Sequence, residues 1–236
     1  MNIKFLDLKL AYKELKNEID LSINETINND SYILGNSLLK FEENFSKYCN
    51  SNFCIGVGNG LDALSIGLNS LGIKEGDEVI VPSHTFIATW LAVSLCKAKL
   101  VPVEIDYDTF NINPKLIEEK ISKKTKAIVV VHLYGQSADL DAIGKISKKH
   151  SIPIVEDAAQ AHGVKYKNKN IGFNSEFVAW SFYPGKNLGC FGDGGALTTN
   201  NKELAEKSRR LRNYGSEKKY FHSEIGTNSR LDSIQA

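Results

Sequence analysis

The chain alternates between two hydrophobic periods. Residues 8–27 and 37–49 repeat their apolar positions at helical spacing, with Leu38, Leu39, Phe41, Phe45 and Tyr48 marking the second stretch. A short apolar run, Phe53 to Val57, then predicts a strand. It leads through Gly58-Asn59-Gly60 into a helix with Leu61, Leu64, Leu68 and Leu71 on one face. The alternation continues. Strand 78–81 precedes the loop PSHTF and a helix over 86–97, and strand 99–105 precedes a helix over 114–122. Strand 126–132 precedes a helix over 139–149, and strand 152–156 runs into the loop DAAQAHG. Strands 177–182 and 195–199 flank a glycine-rich loop, and a helix over 201–212 follows. Residues 226–236 read as the start of one more helix, with Leu231, Ile234 and Ala236 on one face. Strands alternating with helices imply a mostly parallel sheet covered on both faces. The expected class is α/β, a three-layer α/β/α arrangement in one domain over residues 1–236.

Composition adds limits rather than chemistry. With 42% hydrophobic and 24% charged residues the chain has the balance of a globular domain, and a net charge of +1 gives no global field for nucleic acid or an anionic membrane. No apolar run is long enough to span a bilayer, and charges interrupt the first twenty residues, so neither a membrane segment nor a signal peptide is expected. The four cysteines form no C-x-x-C pair, which fits reduced thiols in a cytoplasmic protein.

Candidate chemistry collects where an open α/β sheet binds its ligands, beyond the carboxyl ends of the strands. Lys186 stands in SFYPGKNLGCFGDGG (181–195), with no acid within three residues and with Trp180, Phe182, Tyr183 and Leu188 around it. Such a setting implies a partly dry site, which favours a neutral, nucleophilic amine able to form a Schiff base. A lysine reaching out of a glycine-rich turn is the plain alternative. Gly58-Asn59-Gly60 joins strand to helix, so its amides would suit a phosphate, though a tight turn explains it as well. Phe86 would stack on a flat ring or simply open a helix. Asp157 ends the apolar run IPIVE, where a carboxylate needs a cationic partner such as a protonated pyridine nitrogen, or serves as a helix cap. Gln160 would reach a ring oxygen or cap. The Ser181 hydroxyl would bond a phosphate. His132 and His162 lie at the same edge, but their spacing with Asp157 matches no metal-ligand pattern, and no metal is expected.

These residues, with the blocks VGNGLDAL (57–64), PSHTFIAT (82–89), VHLYGQSADLD (131–141), VEDAAQAHG (155–163), LRNYGSEKKY (211–220) and GTNSRLDSIQA (226–236), resemble the sugar aminotransferases of the DegT/DnrJ/EryC1/StrS family. The likeness covers the whole chain. It implies the large domain of a fold type I pyridoxal 5'-phosphate enzyme, with Lys186 bound to the cofactor aldehyde, Asp157 on the ring nitrogen and Gln160 on the ring hydroxyl. It implies Phe86 stacked on the ring, and the phosphate held by Ser181 and the amides of Gly60 and Leu61. Asn228 would reach the phosphate of a neighbouring subunit in a homodimer with shared sites. Leu61 departs from the family's threonine, which removes one phosphate hydroxyl. A further expectation is that the family's small C-terminal domain is absent from these 236 residues.

The implied reaction moves an amino group from glutamate to a nucleotide-linked keto sugar. NGLDAL, HLYGQ and SFYPGKN look most like enzymes aminating C3 of dTDP-3-keto-6-deoxyhexoses. Alternatives are a 4-keto sugar as acceptor, a non-catalytic regulatory or truncated protein of the same fold, and a nucleotide-binding α/β protein. Sugar 3-dehydratases of this family carry a histidine where Lys186 stands, so the lysine argues against that reaction. No G-x-x-x-x-G-K-[ST] motif supports a nucleotide-binding protein.

Overall fold

A computed structural model describes residues 3–29 and 31–236. In chain order the elements are α1 (Leu8–Asn29), α2 (Asn36–Cys49), β1 (Phe53–Val57), α3 (Gly60–Ser70), β2 (Glu78–Pro82), α4 (Ile87–Leu95), β3 (Lys99–Val103), β4 (Thr125–Val131), α5 (Leu140–His150) and β5 (Ile154–Asp157). They continue with β6 (Lys165–Tyr166), β7 (Lys169–Asn170), β8 (Phe177–Ser181), β9 (Gly195–Thr199), α6 (Lys202–Leu211), β10 (Ser216–Lys218) and β11 (Phe221–His222). Seven strands form one sheet in the order β1-β9-β8-β5-β4-β2-β3. β9 pairs antiparallel with both β1 and β8, and the remaining pairs are parallel. Six strands therefore end on the same edge, and only β9 starts there.

The period-2 alternation of the strands sorts their side chains to two faces. Ile80, Ile128, Val130, Ile154, Val178 and Trp180 pack with Phe45 of α2 and Leu140 and Ile143 of α5. Val79, Val81, Ala127, Val129, Phe177 and Ala179 pack with α3, α4 and α6. This is the expected α/β/α sandwich. Side chains open three of its helices. Asn59, Asp139 and Asn201 accept from the amides of Asp62, Ala142 and Leu204 and so start α3, α5 and α6.

Two expected helices are not formed. Residues 114–122 make two short 3₁₀ turns, Pro114–Leu116 and Glu118–Lys120. Pro114 starts the first, and the amides of Ile117, Lys120 and Ile121 bond three residues back rather than four, so the stretch tightens into turns that still bring Leu116, Ile117 and Ile121 to the core. Residues 226–236 run extended into a final turn. Their amides find lateral partners: Thr227 bonds Leu211 O, Ser229 bonds Arg212 O and Ser233 bonds Tyr32 O. Leu231 is buried while Ile234 is 41% exposed, so the expected common face does not exist.

Candidate active site

The parallel strands bring the expected residues to one edge. β1 ends in Gly58-Asn59-Gly60, β5 ends in Asp157, β8 ends in Ser181, and β2 leads through Ser83–Thr85 to Phe86. The first residue of β9, Gly195, pairs with both Val57 and Ser181 and so lies between the ends that carry Gly60 and Ser181.

The glycines there are set by close approach. A Cβ on Gly195 would sit 2.4 Å from the carbonyl carbon of Asn59 and 2.8 Å from the Gly60 nitrogen; one on Gly60 would sit 2.8 Å from Cβ of Ser181. Asn59 caps α3 through the Asp62 amide at 2.8 Å. The amides of Gly60 and Leu61 make no hydrogen bond among the described residues. Two free N–H groups at a helix N-terminus, with the Ser181 side chain against Gly60, form a concave donor set for an anion.

Asp157 is buried. Oδ2 accepts from Thr89 Oγ1 of α4 at 2.8 Å, and Oδ1 accepts from the Ala159 amide at 3.1 Å. Thr85 Oγ1 lies 2.9 Å from Thr89 Oγ1 and extends the chain. Burial raises the pKa of the carboxyl group, and the hydrogen bonds from Thr89 and the Ala159 amide offset this only in part. The residue is a charge short of a cationic partner rather than a helix cap.

The neighbouring Glu156 points to the opposite face. It accepts from His132 Nε2 at 2.8 Å and from the Gly172 amide. His132 Nδ1 accepts from the Ala138 amide at 3.2 Å, so the ring is the neutral Nε2–H tautomer. Among the described residues no three His, Cys, Asp or Glu side chains converge as a metal site would require.

Gln160 does not cap a helix. Its Oε1 accepts from the Tyr134 amide at 2.8 Å, which turns the NH₂ group away from that contact. Tyr134 itself has a left-handed backbone, φ 55°. Phe86 is 69% exposed, leaving its ring available.

Lys186 is half-buried, its amide is tied to Tyr183 O at 2.8 Å, and its amine has no ion-pair or hydrogen-bond partner among the described residues. The expected dry surround is only half present. Trp180 and Phe182 are buried, but they turn to the α2 face, where Phe45 meets both rings edge-on. Tyr183 and Leu188 are exposed. Asn228 forms a bridge with Asn213 and is exposed, with no side-chain contact joining it to Lys186, Asp157 or Gly60 among the described residues.

Sequence reasoning missed Thr89, His132–Glu156 as a pair, and a link from Ser229 to Asp62. Ser229 Oγ donates to Asp62 Oδ2 at 2.6 Å and accepts from the Gly58 amide at 2.9 Å. No local pattern marks residues 167 positions apart as partners.

The chain is 53% identical over 234 residues to dTDP-3-amino-3,4,6-trideoxy-alpha-D-glucose transaminase of Streptomyces venezuelae, covering 99% of this chain and 62% of that protein. It is 52% identical to dTDP-3-amino-3,6-dideoxy-alpha-D-galactopyranose transaminase of Aneurinibacillus thermoaerophilus, covering 99% of this chain and 64% of that protein. Among solved structures, S. venezuelae DesV in complex with a ketimine intermediate superposes with a TM-score of 0.97 at 53% identity, covering 99% of this chain and 63% of that one. The chain thus spans less than two thirds of the length of these relatives. The model of the DegT/DnrJ/EryC1/StrS aminotransferase family matches residues 13–236, and the chain belongs to that family.

Proposed function

We propose that these residues form the cofactor-binding large domain of a pyridoxal phosphate-dependent sugar aminotransferase. The observation that carries the reading is the meeting, at one sheet edge, of a buried carboxylate without a cationic partner and two free helix-start amides. A loop lysine with an unpaired amine joins them there. This donor set fits a molecule with a phosphate at one end and a cationic ring nitrogen at the other.

Bound, pyridoxal phosphate supplies an aldehyde that accepts amino groups and a ring that takes up electron density. Lys186 supplies the amine for that aldehyde and, when free, a base and acid at Nζ for moving a proton. Asp157, held by Thr89, keeps positive charge on the ring nitrogen. The amides of Gly60 and Leu61 and the Ser181 hydroxyl hold the phosphate; Leu61 contributes no hydroxyl of its own. Phe86 covers a face of the ring, and the free NH₂ of Gln160 meets the ring hydroxyl.

The amino donor is glutamate. The acceptor is a nucleotide-linked keto sugar, aminated at C3 of a dTDP-3-keto-6-deoxyhexose, a choice supported by the names of the two relatives. The active form is a cytoplasmic homodimer in which Asn228 serves the neighbouring site. Exposed Phe86, Tyr183, Leu188 and Phe191 around the edge support a second copy as cover.

Borohydride reduction of the protein with pyridoxal phosphate should fix the cofactor to Lys186, and Lys186→Ala should abolish both this adduct and turnover. Attachment to another lysine overturns the assignment. Activity with a 4-keto sugar and none with the 3-keto isomer overturns the acceptor.

A further inference from the structure

The turn that carries the free amides is not held by its own sequence alone. Of the amides around it, that of Gly58 donates to Ser229 Oγ at 2.9 Å and that of Asp62 donates to Asn59 Oδ1 at 2.8 Å. Asp62 Oδ2 accepts twice, from Ser229 Oγ at 2.6 Å and from Asn59 Nδ2 at 3.1 Å. One hydroxyl thus joins the residue before the turn to the first turn of α3. The carboxylate of Asp62 thus stays at the start of α3, engaged by Ser229 and by the cap residue Asn59.

Ser229 is itself fixed to the core. Its amide donates to Arg212 O at 2.9 Å, and Arg212 Nη1 donates to Gly56 O at 2.7 Å in β1. The same Arg212 nitrogen bonds Glu42, which accepts from the Gly56 amide at 2.8 Å. The Ser229 end of the link is therefore anchored, through Arg212, to the strand that delivers the turn. Ser229 is 2% exposed, so water does not substitute freely for its bonds.

We infer that Ser229 and Asp62 are positioning residues that hold the Gly58–Gly60 turn in its anion-binding shape, with the amides of Gly60 and Leu61 as the phosphate donors. The inference rests on the cofactor reading above and adds to it two residues that touch no cofactor atom. Support of this kind keeps a donor pair within the narrow geometry that a tight contact needs.

The test uses the 236-residue chain and two probes, pyridoxal 5'-phosphate and pyridoxal, which lacks the phosphate. Ser229→Ala and Asp62→Ala should each weaken pyridoxal phosphate binding about tenfold, the scale of one misplaced hydrogen bond to a charged group. Pyridoxal binding should stay within about twofold of the parent, since the amides do not contact it. Asp62→Asn keeps an oxygen for the Ser229 proton and should hold pyridoxal phosphate within about threefold. The double variant should lose little more than either single one, because both remove the same bond. If Ser229→Ala does not fold, Ser229→Cys fills the site with a slightly larger, much weaker donor and acceptor and should show the same loss.

Unchanged pyridoxal phosphate affinity in the alanine variants overturns the proposal. Equal losses for both probes also overturn it, because they mark a general structural role. A parent chain that binds pyridoxal without preferring its phosphate ester overturns the phosphate cradle itself, and this proposal with it.

Discussion

Thr89 Oγ1 donates a 2.8 Å hydrogen bond to Oδ2 of Asp157, and both groups are buried. The bond joins the first turns of α4 to the end of β5 and fixes which way the carboxylate faces. It does not neutralise the charge. Burial raises the Asp157 pKa above its ordinary 3.8, so the folded chain binds this proton more tightly than the unfolded one. The contribution to stability therefore falls as pH rises from the ordinary value through the raised one, and returns as pH falls. Asp157→Asn should remove that loss and melt at the same or a higher temperature than the parent at neutral pH without cofactor. Turnover should drop roughly a hundredfold, the scale of one lost electrostatic contact in a buried site. Paired melting and rate measurements check this. A variant that is less stable and equally active contradicts it.

His162 gives the opposite slope. Its ring lies 5.5 Å from the Trp180 ring and 5.9 Å from the Phe182 ring. Both ring nitrogens are buried without a hydrogen-bond partner among the described residues, although the Ser181 backbone lies nearby. Burial pushes the pKa from 6.5 down to about 4. The unfolded chain then binds this proton more tightly, so stability falls as pH drops from about 6.5 towards 4. His162→Phe removes the titration and should flatten the stability profile in that window by up to about 3 kcal/mol. Denaturant titrations at several pH values read the slope. An identical slope in parent and variant refutes it.

The sheet and the site were legible to different depths. Strands such as 195–199 showed in the sequence because β-branched and small apolar residues in short runs have few other uses. Asp157 and Lys186 showed because a carboxylate closing an apolar strand, or a lysine without acids nearby, is out of place locally. Thr89 did not, since its role depends on which way α4 crosses β5. Ser229 did not, because its partners Gly58 and Asp62 are distant in the chain. The helix expected over 114–122 failed for a physical reason: nine residues are too few to be helical on their own, and here i→i+3 turns already carry Leu116, Ile117 and Ile121 to the core. The dry setting expected for Lys186 failed because period-2 alternation sends Trp180 and Phe182 to the far face together.

Arg212 and Glu42 make a buried ion pair, each about 5–6% exposed, and both reach the backbone of Gly56. Arg212→Met leaves the buried Glu42 carboxylate with only the more exposed Arg209, 4.0 Å away, as cationic partner, which should cost up to about 3–5 kcal/mol. Adding Glu42→Gln removes the charge and keeps an acceptor for the Gly56 amide, so the double variant should regain part of the loss. Chemical denaturation of the three variants gives the answer, and a double variant no better than Arg212→Met rejects the charge explanation.

Gly195 offers the cleanest steric test of the site. It sits between Val57 and Ser181 in the sheet, directly beneath the turn that carries the open amides. A Cβ there meets the Asn59 carbonyl carbon at 2.4 Å and the Gly60 nitrogen at 2.8 Å. These are backbone atoms, which cannot rotate away as a flexible side chain would, so the turn itself must shift. Gly195→Ala should cost about 1–3 kcal/mol through overpacking. It should also weaken pyridoxal phosphate more than pyridoxal, because the displaced amides face the phosphate. Gly185→Ala is the control in the lysine loop: its Cβ would meet only ordinary contacts of 3.5 Å or more, and its backbone is not left-handed. That variant should stay within about 0.5 kcal/mol of the parent and bind both ligands as the parent does. Equal behaviour of the two alanine variants in melting and in binding would mean that the close approach of β9 does not shape the turn.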